Sequence, residues 1–174
     1  MAKTEKTYSE ITEAEEIIKK LCAHPNTKDV LWAVKPESIV VLGIDNKERG
    51  KKQKTLAKII PIKGVEKVIM NINKINVQYA IETHWVDWNK WGDQLKQWII
   101  FHELLHIASE EGKTIKHDVM DFRIIVDKVG VDWSSSNKSL PDLLKDDVKF
   151  NKDLIPSTVD ALESQEEDDK EDKE

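Results

Sequence analysis

The sequence contains a single cysteine, Cys22, among its 174 residues. One thiol cannot form an intramolecular disulfide bond, and it cannot supply a cysteine-rich metal site. No apolar run approaches the roughly 18–20 residues that a transmembrane helix needs. Residues 1–10 are polar, with no apolar segment behind their lysines, so they do not resemble a signal peptide. These absences favour a cytoplasmic protein without a membrane partner, and they require any metal site to be built from His, Asp and Glu.

Acidic charge is concentrated at the end of the chain. The formal net charge is −6, from 27 Lys and Arg against 33 Asp and Glu. Eight of the acids and two of the lysines lie within residues 163–174, and subtracting them leaves 25 acids and 25 bases in residues 1–162. We interpret residues 163–174 as a disordered acidic tail that keeps the protein soluble. Mimicry of nucleic acid is the alternative role.

Apolar residues at helical spacing predict three long helices and a short one. The first opens with a capping-box pattern, Thr12 with Glu15, and the third ends at Gly130. The second has the strongest pattern and is closed near Gly112. The four predicted helices cover about residues 9–23, 90–110, 118–129 and 141–145.

Short runs rich in Val and Ile predict strands. Residues 77–85 alternate best, with Tyr79 and Ile81 on one side and Gln78 and Glu82 on the other, as in a strand with one buried face. This mixture of strands and helices predicts a single α+β domain with a small mixed or antiparallel sheet of three to five strands. The other short apolar runs are 30–34, 38–44, 57–62 and 65–72.

The strongest predicted helix contains an HExxH motif, Phe101-His102-Glu103-Leu104-Leu105-His106. On a helix His102 and His106 lie one turn apart on the same face, so both imidazoles can bind one zinc ion at about 2.0–2.1 Å. Zinc lowers the pKa of a bound water to about 7, and Glu103 can then accept its proton while the metal polarises a carbonyl. The motif therefore predicts hydrolysis of an amide. The alternative is a helix that carries two histidines and no metal.

A catalytic zinc site needs a third protein ligand while one position stays open for water. His117 is the first candidate, with Asp118 and Asp121 as the alternative ligands. His117 can serve only if it lies at or before the N-terminus of the third helix, because within that helix it would point away from the apolar face. Asp118 and Asp121 are also candidate acceptors for imidazole N–H groups, and helix capping is an equal explanation for both.

These segments together resemble the putative phage metallopeptidase family. Residues 79–82, 99–107 and 116–122 carry the resemblance, because in that family an HEL-x-H helix precedes a KHD-x-x-x-F segment. The resemblance covers about residues 30–133 and implies a zincin-like fold in which the HExxH helix packs against the sheet. It also implies metal ligands that match His102, His106 and His117, and a base that matches Glu103. Many relatives have Cys where this chain has Leu105, a position that is not a ligand.

We therefore expect a zinc-dependent metallopeptidase that acts on a peptide or protein in the cytoplasm, or in the host cytoplasm if a phage encodes it. In zincins the strand beside the metal helix commonly receives the substrate backbone, and here the candidate strand is 77–85, with Tyr79, Ile81 and Thr83. We expect three segments, namely a zincin-like domain (1–135) that includes the N-terminal helix, an extension that packs on it or trails from it (136–162), and the tail (163–174).

Two alternative functions stay open. The first is a non-catalytic zinc-binding interaction module that retains a zincin-like scaffold. The second is a DNA-associated peptidase, because the chain is loosely similar to SprT-like metallopeptidases. The basic stretch 47–58 would then contact nucleic acid phosphates, although a solvated loop is the interpretation we prefer. The sequence does not predict an oligomeric state.

Overall fold

The computed structural model describes residues 7–45, 55–107, 113–117, 119, 121–135 and 139–156. Within these residues the chain forms a four-stranded mixed sheet and five α-helices, so the predicted α+β class is confirmed. The strands are β1 (Thr7–Glu10), β2 (Ile39–Asp45), β3 (Ala57–Pro61) and β4 (Tyr79–His84). The helices are α1 (Thr12–Ala23), α2 (Gly64–Ile72), α3 (Trp85–Trp88), α4 (Asp93–Leu105) and α5 (Arg123–Val129).

Strand β4 lies inside the sheet, whose order is β1-β2-β4-β3. It pairs in parallel with β2 and antiparallel with β3, so that Ile81 lies opposite Val41 on one side and opposite Ile59 on the other. β1 pairs antiparallel with the other side of β2. Among the described residues, β1 and β3 are therefore the two edge strands.

The hydrophobic core lies between the sheet and the helices α1 and α4. α4 is buried over most of its length, and its fully buried side chains include Trp98, Phe101 and Leu104. Burying a side chain of this size contributes about 1.5–3 kcal/mol. From α1 and the sheet the core receives Ala14, Ile18, Leu21, Val41, Tyr79 and Ile81.

Polar contacts to the carboxylate of Glu13 also join α4 to α1. Nζ of Lys96 lies 2.9 Å from Oε1 of Glu13, and the indole N–H of Trp88 donates to Oε2 of the same carboxylate at 2.8 Å. Burial raises the pKa of Glu13, but the hydrogen bonds from Lys96 and Trp88 outweigh it and leave the pKa below its usual value. The helix that carries the HExxH motif is thus held by both apolar packing and an ion pair.

Four predicted helix boundaries are wrong. The first helix begins at Thr12, because residues Thr7–Glu10 pair with β2 as an edge strand, and its N-cap is Ile11 without a side-chain cap. α4 is shorter than the predicted 90–110, since it begins at Asp93 after Gly92 and ends at Leu105. The third helix begins at Arg123 rather than near 118, with Phe122 as its N-cap. Its predicted end at Gly130 is confirmed, where φ is +78°.

Three further segments differ from their predicted conformations. Residues 30–34 form turns instead of a strand, because the amides of Val30 and Leu31 donate to the carbonyl of Thr27 rather than to a neighbouring strand. Residues 65–72 belong to helix α2. Residues 141–145 form a turn around Asp142, whose carbonyl accepts from Lys145 N and Asp146 N.

The chain beyond Ser135 packs on α4 where the structure describes it. The indole N–H of Trp98 donates to the carbonyl of Pro141 at 2.8 Å, and Oε1 of Gln97 accepts from Leu143 N at 2.8 Å. The division at residue 135 stays a prediction, and the tail 163–174 lies outside the described residues. Within the described part of the chain, none of the helices is long and apolar enough to cross a membrane.

Candidate metal centre

The HExxH motif lies at the C-terminal end of α4. His102 belongs to the last turns of the helix, and His106 caps its C-terminus with nearly helical backbone angles, φ −70° and ψ −14°. The two imidazole rings lie 5.2 Å apart, centroid to centroid. The helical spacing therefore brings both rings to one side of the helix end.

An extended segment, 113–117, brings His117 back to this helix end. Thr114 pairs with Ile107 in an isolated antiparallel bridge, and the amide of Ile115 donates to the carbonyl of His106 at 2.7 Å. The hydroxyl of Tyr79 donates to the carbonyl of Lys113 at 3.0 Å. His117 lies before α5, which is the placement that a role as third ligand requires.

The three imidazoles converge. Each of His102, His106 and His117 offers one ring nitrogen as a possible ligand atom, and these three nitrogens lie within 4.8 Å of one another. The Nε2 atoms of His102 and His117 are 3.1 Å apart. Ligands at 2.0–2.1 Å from a tetrahedral ion lie about 3.3–3.4 Å from one another, so this separation is close to what zinc requires.

The protonation of His106 also suits a metal ligand. Its Nδ1 lies 2.6 Å from the carbonyl oxygen of Ile115, and because a carbonyl only accepts, Nδ1 must carry the proton. Burial lowers the pKa of His106 to about 4, so the ring is neutral near pH 7. Its Nε2 therefore keeps a lone pair for coordination.

A carboxylate lies behind His102. Oδ1 of Asp121 is 3.0 Å from Nδ1 of His102, although the angles of this contact are not those of a well-aligned hydrogen bond. Oδ1 also accepts from the amide of Phe122 at 2.6 Å, and Oδ2 accepts from the indole N–H of Trp133 at 2.6 Å. Burial raises the pKa of Asp121, but His102 and the two donors outweigh it and lower the pKa to about 2. Asp121 is therefore ionised near neutral pH.

Phe122 forms an apolar floor beneath the three imidazoles. Its ring centroid lies 5.5 Å from that of His102, 4.7 Å from His106 and 5.0 Å from His117. The ring is fully buried. Packing against one rigid aromatic ring restricts the rotation of all three imidazoles.

The carboxylate of Glu103 projects from α4 towards the edge strand β3. Its Oε2 accepts a hydrogen bond from the amide of Ile59 at 2.8 Å, and its Oε1 lies 4.0 Å from Nε2 of His102. Burial raises the pKa of Glu103, although the charge of His102 and the Ile59 amide oppose this. One oxygen is thus anchored to the backbone of β3, while the other lies near the imidazole cluster.

A family model described as putative phage metallopeptidase matches residues 6–146 of the chain. The chain belongs to this family. A search of curated proteins and a search of solved structures both returned no match. Membership in a metallopeptidase family implies a metal, and the three converging histidines are the described residues able to hold one.

The structure of this family member brings most of the predicted site residues together. His102, His106 and His117 form one cluster, with Glu103 and Asp121 against it. Asp121 was predicted to lie in the first turn of the helix 118–129, but it precedes α5, whose N-cap is Phe122. The other candidate, Asp118, lies outside the described residues, as does most of the basic stretch 47–58.

The prediction that residues 77–85 receive the substrate backbone is wrong. Strand addition needs a free strand edge, and β4 has β2 on one side and β3 on the other. Its residues Tyr79, Ile81 and Thr83 are buried beneath the helices. The sheet edge that faces the carboxylate of Glu103 belongs to β3, because the Ile59 amide points away from β4 to Glu103.

Four contributions to the site were not predicted from the sequence. Two are backbone groups, the amide of Ile59 and the carbonyl of Ile115, and no residue type reveals them. The others are the rings of Phe122 and Trp133. A buried Trp usually needs an acceptor for its N–H, so Trp133 could have been expected to have a polar partner, but not which one.

Proposed function

We propose that the chain is a zinc-dependent peptidase that hydrolyses a peptide or protein substrate. In this proposal His102, His106 and His117 hold the metal, and Glu103 is the general base. The observation that carries it is the convergence of three imidazoles, with ligand atoms within 4.8 Å of one another, beside a buried carboxylate. Membership in a metallopeptidase family supports the same conclusion.

The donor set fits zinc better than it fits a harder cation. Neutral imidazoles suit Zn²⁺, whereas Mg²⁺ and Ca²⁺ prefer oxygen ligands. Three protein ligands also leave a fourth tetrahedral position open, which is the arrangement of catalytic rather than structural zinc. When bound, zinc would supply Lewis acidity, lowering the pKa of water and polarising a peptide carbonyl.

Glu103 has the contacts that a general base needs. Hydrogen bonding of Oε2 to Ile59 N fixes the carboxylate, so Oε1 remains available to accept a proton from the attacking water. The same oxygen can then return the proton to the departing amine nitrogen. Because burial raises the pKa of Glu103, its basicity is better matched to neutral pH than that of an exposed carboxylate.

The outer edge of β3 is where we propose that the substrate backbone lies. This edge faces Glu103 through the amide of Ile59, and the structure describes no strand paired along it. A peptide that adds there would pass beside the imidazole cluster. A structure of the Glu103→Gln variant with a bound peptide would test this placement, and a peptide bound elsewhere would exclude it.

Elemental analysis and a cleavage assay together test the proposed function. We expect one zinc per chain in the wild type and in Glu103→Gln, and loss of stoichiometric zinc in His102→Ala and His106→Ala. His24→Ala is the matched control, because this histidine caps α1 outside the cluster and should retain the metal. A wild type without zinc, or full zinc after His102→Ala, would contradict the proposal.

The catalytic part of the proposal depends on turnover. We expect Glu103→Gln to lower the rate of cleavage of a proteome-derived peptide library by about 10²–10⁴-fold, because the amide cannot accept the proton. Equal cleavage by both proteins would exclude Glu103 as the base. If the wild type binds zinc and cleaves nothing, the chain is a zinc-binding interaction module rather than a peptidase.

A further inference from the structure

The two HExxH histidines have different partners behind their rings. His106 donates from Nδ1 to a backbone carbonyl, that of Ile115, at 2.6 Å. His102 instead has the carboxylate of Asp121 3.0 Å from its Nδ1. A carboxylate raises the basicity of an imidazole more than a carbonyl does, so the affinity of the cluster for a metal depends strongly on how Asp121 is held.

Three groups act on the Asp121 carboxylate in different directions. Oδ1 faces both His102 Nδ1 and the amide of Phe122, which donates at 2.6 Å. Oδ2 accepts from Nε1 of Trp133, also at 2.6 Å. The Phe122 amide alone cannot fix the rotation of the carboxylate, because it bonds to one oxygen only. The second, independent anchor is the indole N–H.

Trp133 is placed to act on His102 through this carboxylate. The residue is 4% exposed and lies in the turn after α5, so its position is set by packing. Its ring lies 5.7 Å from the ring of His102 and 6.5 Å from that of Trp98. A hydrogen bond to an ionised acceptor is roughly twice as strong as a neutral one, so this contact can hold the carboxylate in one orientation.

We propose that Trp133 is a positioning residue for metal binding: by donating to Oδ2 it aims Asp121 at Nδ1 of His102, and so sets the orientation of that ligand. The inference rests on the proposed function, since it requires His102 to bind the metal. It assigns to residue 133 a role in the affinity for zinc, in addition to its role in the core.

Zinc affinity measured with a competing chelator tests this inference. We expect Asp121→Ala to bind zinc about 10–100-fold more weakly than the wild type, since loss of such an outer partner typically costs that much. Trp133→Phe keeps an aromatic ring and removes the N–H. It should weaken zinc binding by a smaller factor, near or just below the lower end of that range. The double variant, Asp121→Ala with Trp133→Phe, should bind zinc as tightly as Asp121→Ala alone. Without the carboxylate, the indole N–H has no acceptor to orient.

Trp88→Phe is the matched control. Trp88 is also buried, and its indole N–H also donates to a carboxylate, Oε2 of Glu13, at 2.8 Å. That carboxylate pairs with Lys96 rather than with a histidine of the cluster. Trp88→Phe should therefore lower the free energy of unfolding while leaving the affinity for zinc unchanged.

Several outcomes would overturn the inference. Zinc affinity of Trp133→Phe equal to that of the wild type, or reduced equally in Trp88→Phe, would show that the N–H has no specific role. Losses that multiply in the double variant would assign the effect to packing of the ring against His102. If Asp121→Ala does not fold, Asp121→Leu, which has similar volume and also removes the acceptor of the indole N–H, takes its place in the cycle. A wild type that binds no zinc would instead refute the proposed function itself.

Discussion

Helices α4 and α2 have similar apolar spacing and opposite burial. On α4, nine of the thirteen residues are buried, including Lys96 and Gln97. On α2, none of the nine residues is buried, and its apolar side faces solvent, with Val68 56% and Ile72 74% exposed. Met70, on the other side of α2, is half-buried. Apolar residues at helical spacing thus produced a core helix in one place and an exposed apolar face in the other.

Apolar spacing determines where a helix forms, whereas chain connectivity determines what the helix packs against. α4 lies against α1, against β3 and beneath the segment after residue 139. α2 connects β3 to β4, which are already neighbours in the sheet, and none of its residues is buried. The first arrangement restrains His102 and His106, two of the three proposed metal ligands, because both emerge from a helix that is packed on several sides.

The largest expected effect concerns the packed face of α4. Phe101→Ala should lower the free energy of unfolding by about 3–5 kcal/mol, because the ring is fully buried against Trp98 and Phe150. Phe101→Leu should cost less, since it keeps much of the volume. Urea unfolding monitored by circular dichroism measures both. A loss below about 1 kcal/mol for Phe101→Ala would mean that α4 is not the main core helix.

A smaller effect is expected at the buried C-terminal end of α4 when the pH changes. In the folded protein burial lowers the pKa of His106 from 6.5 to about 4. Between these pH values the unfolded chain binds a proton that the folded chain does not, so the free energy of unfolding falls as the pH decreases from 6.5 to 4. The contribution is at most about 3 kcal/mol.

Urea unfolding of the metal-free protein, kept so by a chelator, measures the effect over this pH range. The stability contributed by the low pKa of Asp121 is lost in a separate window, as the pH falls from 3.8 through about 2. His106→Gln removes the titrating group, so its unfolding free energy should depend less on pH between 6.5 and 4. An identical pH dependence in both proteins would show that His106 is not buried in its neutral form.

The smallest effect is expected on α2. Val68→Gln should change the free energy of unfolding by no more than about 0.5 kcal/mol, because the side chain is largely exposed and Gln favours helix at least as well as Val. Thermal unfolding of the two proteins measures the difference. A loss above about 1.5 kcal/mol would show that the apolar side of α2 is covered in solution, and the contrast with α4 would then disappear.

Where the sequence prediction succeeded, the pattern was local. Alternation predicted β4, and the spacing of Trp98, His102 and His106 predicted α4, because both periodicities arise from backbone geometry within a few residues. Helical spacing was also present in residues 65–72, at Val65, Val68, Ile69 and Ile72, and would have predicted α2 correctly. Residues 30–34 became turns because their amides found acceptors within the same segment.

The sequence was enough to predict the residue types of the proposed metal centre and the shared face of His102 and His106, since four-residue spacing on a helix places both side chains on one side. Tertiary contacts, by contrast, bring His117 back to this face, place Asp121 and Trp133 behind His102, and bond the Ile59 amide to Glu103. They also make β4 an interior strand and β3 an edge. These contacts join residues far apart in the chain, and no local periodicity encodes which strands become neighbours.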